Sequence, residues 1–149
     1  MKKETLVFGC IGLFVLLYSY TAISKILDYD LFVFQMRRAP LPLMQLIAPV
    51  LGRVIPLIEL ILAIGLLIDR IRIRALIASV GLLIIFEIYI IGMLLSGHVL
   101  PCTCGGIISK MSWKEHLLFN AIFISIGLAT LFQIKKIHFP GAIIVSAKK

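Results

Sequence analysis

Four apolar runs, Leu6 to Ile26, Leu46 to Ile68, Ile73 to Leu95 and Leu117 to Ile134, leave this chain few ways to fold. Each is close to the ~20 residues an α-helix needs to cross a hydrocarbon core of about 30 Å. Backbone groups in lipid must be satisfied within the span, so helix is the form expected for all four. The expected fold class is all-α, a four-helix transmembrane bundle forming one integral membrane domain over residues 1–149. Composition argues against a soluble alternative: 61% of residues are hydrophobic and mean hydropathy is +1.12, more than a polar exterior allows. The spans also take up most of these residues, so no soluble catalytic domain is expected among them.

A net charge of +8 would suit nucleic acid, but the basic residues gather at segment ends and form no stripe along one face. The expected environment is the lipid bilayer, with no nucleic-acid partner. Lys2 and Lys3 precede the first span, Arg70, Arg72 and Arg74 fill the second connection, and Lys135, Lys136, Lys148 and Lys149 follow the fourth. All three clusters fall on one side of a four-span chain. The positive-inside rule then expects an N-in/C-in topology, both termini in the cytoplasm. Lys25, Arg37, Arg38, Lys110 and Lys114 fall on the other side, fewer and more widely spread. A cleaved leader is the alternative for the first segment, since Ala22-Ile23-Ser24 resembles a cleavage site. The apolar run is long for a leader, and retaining it keeps the charge pattern consistent, so it is read as a span.

The first connection, Leu27 to Gln45, mixes Asp28, Asp30, Arg37 and Arg38 with Leu31, Phe32, Phe34 and Met36, a pattern suiting an amphipathic segment on the outer surface. In the second span Pro56 leaves the Gly52 carbonyl without its helical donor, so that face should point into the bundle. Ala121, Ser125 and Ala129 repeat every fourth residue on the last span, the spacing that lets another helix approach closely. Trp113, Tyr18 and Tyr20 suit interfacial positions.

Chemistry is concentrated in Cys102-Thr103-Cys104-Gly105-Gly106, between the last two spans and, by the charge pattern, outside the membrane. A disulfide requires Cα atoms about 4.4 to 6.8 Å apart, which a Cys-x-Cys pair meets only when bent, and the two glycines permit the bend. Strained, exposed disulfides exchange readily, so Cys102 and Cys104 are candidate catalytic thiols. Cys10 lies only ~7 Å inside the opposite edge, roughly 20 Å from the pair, and reads as a packing residue. One dithiol with no second pair in reach needs a partner protein, a quinone, or both. Two alternatives stay open: a disulfide clip that shapes the loop, and a metal site for zinc or copper built from His98, Cys102, Cys104 and His116, with Met93 or Met111 assisting copper.

Arg53, Glu59 and Glu87 lie within apolar spans, where ionisable residues usually face the bundle interior. Counted from the outer span ends, Arg53 and Glu87 both sit roughly 10 to 12 Å deep and are expected to form an ion pair, with Tyr18 at the same depth as a hydrogen-bond partner. Glu59 lies deeper, with no cation at its level in a neighbouring span, and is expected to be held as the neutral acid. The three together are a candidate quinone or proton site, and a polar clasp between helices is the structural alternative.

Ile23-Ser24-Lys25-Ile26-Leu27, Ile55-Pro56-Leu57-Ile58-Glu59-Leu60 and Pro101-Cys102-Thr103-Cys104-Gly105-Gly106 before Ser112-Trp113 occur in an order that resembles the methylamine utilisation protein MauE family, within the wider DoxX-like group of four-helix membrane proteins. The resemblance implies a bacterial inner-membrane protein that works with a thioredoxin-like partner in forming disulfides of an exported protein. It maps Cys102 and Cys104 onto the family's cysteine motif, and Lys25 and Glu59 onto its recurring Lys and Pro-x-x-Glu positions. The function expected is support of thiol–disulfide exchange with an exported thioredoxin-like partner or substrate, with metal binding or a non-catalytic scaffold role as alternatives.

Overall fold

The computed structural model describes residues 2–37, 43–95 and 112–138. These form five helices, α1 (Lys2–Leu27), α2 (Tyr29–Arg37), α3 (Met44–Leu67), α4 (Arg72–Leu95) and α5 (Trp113–His138). There is no strand among the described residues. The all-α, four-span expectation is met: four helices are long and apolar enough to cross a membrane, over Thr5–Leu27, Met44–Leu67, Arg72–Gly92 and Lys114–Ile134.

Local sequence explains the ends. Ser112 and Glu115 form a capping box at the start of α5: the Glu115 side chain accepts from the Ser112 amide at 2.7 Å, and the Ser112 hydroxyl accepts from the Glu115 amide at 3.4 Å. Between α3 and α4, Arg72 donates from Nε to the Leu66 carbonyl at 3.0 Å and pairs with Asp69, placing a cation where the last α3 carbonyls lack donors.

Between α1 and α2 the chain hardly breaks. Asp28 donates to the Ser24 carbonyl and Phe32 to the Asp28 carbonyl, both at 2.9 Å, so helical bonding passes through the single turn residue. The two helices then run antiparallel along α3 in one register, with Lys25 beside Glu59, Tyr29 donating to the Pro49 carbonyl at 3.0 Å, and Val33 against Gly52. Val33 and Met36 of α2 pack with Ala48 in a small core of their own. A Cβ on Gly52 would lie 2.6 Å from the Val33 side chain, so the contact depends on that glycine.

The main core lies deeper between the helices. Val7, Ile11, Phe14 and Tyr18 recur at helical spacing on α1 and meet Leu62 and Leu66 of α3 and Leu76, Val80 and Leu83 of α4. Gly127 lets α5 close on this core, since a Cβ there would run into Val80 and Phe14. The buried stripe of α3 runs through Ala48, Gly52, Pro56, Glu59, Ala63 and Leu66, so the Pro56 face does point inward. Large apolar side chains such as Leu16, Leu57, Ile85 and Phe132 cover the outside, as lipid-facing surface requires.

Two packing expectations are corrected. Ala121, Ser125 and Ala129 are exposed, and α5 instead buries Asn120, Gly127 and Thr130; the Ser125 hydroxyl is bonded to its own helix, at 2.8 Å from the Ala121 carbonyl. Small residues at fourfold spacing mark a potential contact face, but the bulkier Phe119, Phe123 and Ile124 decide which side turns inward. Tyr18 is likewise not interfacial: it is 1% exposed and its hydroxyl donates to the Ser79 carbonyl at 2.6 Å.

Candidate functional site

A cavity of about 360 Å³ opens between the helices around Lys25. Its wall is mostly apolar, with Leu17, Met36, Ile55, Phe86 and Phe119 among its members, and a small polar set projects into it. At its centre Lys25 Nζ donates to Glu59 Oε1 at 2.7 Å, with the two residues 7% and 1% exposed. The ammonium also lies 5.8 Å from the ring centroids of both Phe32 and Phe86, so a carboxylate and two aromatic faces enclose it. Such a pair replaces water with one strong charge-assisted hydrogen bond.

The pair contradicts the expectation that no cation reaches the level of Glu59. The expectation placed the end of the first span, and hence Lys25, at the membrane edge. Because α2 continues α1 with one intervening residue, Lys25 lies well inside a longer helical rod and meets Glu59 in the shared register. Glu59 therefore has Lys25 as a direct partner and is not isolated.

The expected Arg53–Glu87 pair does not form either. Arg53 is exposed, with its guanidinium 5.5 Å from the Tyr29 ring centroid. Each residue turns a helix by about 100°, so Arg53 stands off the stripe carrying Gly52, Pro56 and Glu59. Counting depth along a span does not give the face. Glu87 is half-buried, does not line the cavity, and has a buried Oε2 without a hydrogen-bond partner among the described residues. Tyr18 binds neither of them, because its hydroxyl is taken by the Ser79 carbonyl.

Of the candidate metal ligands only His116 is described. It lines the cavity, with Nδ1 buried and without a hydrogen-bond partner among the described residues. Cys102, Cys104, His98 and Met111 lie outside the described residues, as does the side chain of Met93. No group of three or more His, Cys, Asp or Glu that would suit a metal occurs among the described residues. Cys10 is a free, half-buried thiol on α1.

The cavity also holds two amide side chains to which the sequence reading gave no role. Asn120 on α5 is 4% exposed, and Gln35 on α2 is half-buried; Asn120 Nδ2 and Gln35 Nε2 both lack hydrogen-bond partners among the described residues. Asn120 had a signal, an amide inside an apolar run, whereas Gln35 sat in a connection where polar residues are ordinary.

The profile of the family described as methylamine utilisation protein MauE matches residues 3–133. The chain belongs to that family. No curated protein and no solved structure matches it. The match to the MauE family takes in α1 to α4 and most of α5, both cysteines of the Cys-x-Cys motif, and the cavity residues. Lys25 and Glu59, which the sequence resemblance set at the family's Lys and Pro-x-x-Glu positions, are the two members of the buried ion pair. This MauE-family chain is thus a multi-pass membrane protein built around a charged pair.

Proposed function

We propose that this protein supports thiol–disulfide exchange on the outer face of a bacterial cytoplasmic membrane. Cys102 and Cys104 are the exchanging thiols, and an exported thioredoxin-like protein, or a substrate on the route that matures an enzyme of methylamine utilisation, is the partner. Both termini face the cytoplasm, so the cysteine connection faces outward. One observation carries the reading: the cavity is lined by Tyr89 and Ile90, near the end of α4, and by His116 and Phe119, near the start of α5, the helices joined by the cysteine-bearing connection. The cavity therefore lies between the helix ends that flank the cysteine-bearing connection in the sequence. Family membership supports the same reading.

Mass-tagged maleimide trapping of thiols in intact cells tests it. A pair that cycles between tagged and untagged forms, and a mixed disulfide captured with Cys104→Ser or Cys102→Ser, is the expected result. A pair that stays fully reduced under every condition, or one that no reductant opens, overturns it.

A further inference from the structure

We propose that the cavity around Lys25 is a binding site for a lipid-soluble quinone, with Asn120 and Gln35 donating to the ring carbonyls. The first argument is hydrogen bonding. Asn120 is 4% exposed and lines the cavity, yet its Nδ2 has no partner among the described residues, and the same holds for Gln35 Nε2. Buried amide donors are rarely left unmade, and here two of them, on α5 and α2, serve one space. They call for a ligand that accepts hydrogen bonds.

Charge narrows the class. Lys25 already has the Glu59 carboxylate at 2.7 Å, so the cavity carries a compensated pair and, among the described residues, offers no free lysine or arginine to a phosphate or fatty-acid head. A neutral acceptor fits, and a carbonyl is the commonest one in lipid. The walls then favour a flat ring, because Phe32, Phe86, Tyr89 and Phe119 supply aromatic surface around the polar groups. A volume of about 360 Å³ lies in the range of small-ligand pockets, ~300 to 1,000 Å³.

The role of the quinone, unlike its binding, rests on the thiol-exchange reading. Oxidation of Cys102 and Cys104 breaks two S–H bonds, forms one S–S bond and releases two electrons and two protons; a quinone takes up all four and leaves as the quinol. That supplies the acceptor which one dithiol, with no second thiol pair in reach, otherwise lacks.

Titration of the purified full-length protein in detergent with decylubiquinone, read as the rise in thermal midpoint, tests the site. A saturable rise is expected, with affinity weakened about tenfold or more by Asn120→Leu and by Gln35→Leu. Gln35 is only half-buried on α2, so its variant keeps the test alive if Asn120→Leu fails to fold. The double variant Cys102→Ser/Cys104→Ser should bind decylubiquinone with unchanged affinity while losing quinol production by the reduced protein, which separates failure of the site from failure of the thiol reading. A rise equalled by dodecylbenzene, which has no carbonyl, overturns the proposal, as does affinity untouched in both leucine variants or no saturable rise at all.

Discussion

Lys25 and Glu59 are each among the costliest residues to bury, and each is tolerated because the other is 2.7 Å away. Removing one partner strands a charge in a low-dielectric core. Lys25→Met or Glu59→Leu alone should therefore destabilise the protein by about 3–5 kcal/mol, whereas the double replacement should cost far less than the sum. Denaturant unfolding of the purified single and double variants in mixed micelles measures that non-additivity. The position of Lys25 was legible in principle: it continues the α1 stripe of Val7, Ile11, Phe14 and Tyr18 at helical spacing. Depth counting missed the pair because it took the last apolar residue as the membrane edge. Arg53 shows a different error, since counting along a span says nothing of the face a residue takes.

Helices meet here where glycine allows it, and the outcome at each glycine differs. Gly127 sits against Val80 and Phe14, and Gly52 against Val33 and Tyr29, while Gly81 has open space around it. Gly127→Ala should lower stability by about 1–3 kcal/mol through overpacking. Gly81→Ala should leave stability unchanged or raise it by roughly 0.5–1 kcal/mol, since alanine suits a helix better. Comparing the thermal midpoints of the two variants under one detergent condition reads the contrast directly. Ala121→Leu should fold as the parent does, because the stripe of Ala121, Ser125 and Ala129 faces away from the bundle; an unchanged elution volume and midpoint would show this. Element identity was plain from the apolar runs alone. The use of α2 was not, because the charged residues of the first connection hide a helix whose Val33 and Met36 complete a core with α3.

As a whole the molecule is inverted relative to a soluble bundle, with polar groups gathered around one cavity and apolar side chains outward. Its basic clusters predict which way it sits. A single cysteine introduced near residue 140 of a Cys10→Ala/Cys102→Ser/Cys104→Ser background should resist impermeant maleimide in intact cells and react after permeabilisation. A cysteine restored at 102 should react in both states. The reverse pattern would invert the topology and remove the outward dithiol with it. Span number and class followed from hydropathy, because lipid imposes length and helicity on any chain that crosses it. The cavity did not follow, since it arises from how Lys25 and Gln35 of α1 and α2 converge with Glu59 of α3 and Asn120 of α5.

The buried pair also orders events during synthesis. Lys25 and Glu59 are separated by 34 residues, a length the ribosome adds in roughly 2–7 s at about 5–20 residues per second. For those seconds the ammonium lacks the carboxylate that it pairs with in the folded protein. Once Glu59 enters the bilayer, α1 and α3 can lock as a hairpin before α4 and α5 pack against them. The later helices then assemble on a template whose charge is already settled.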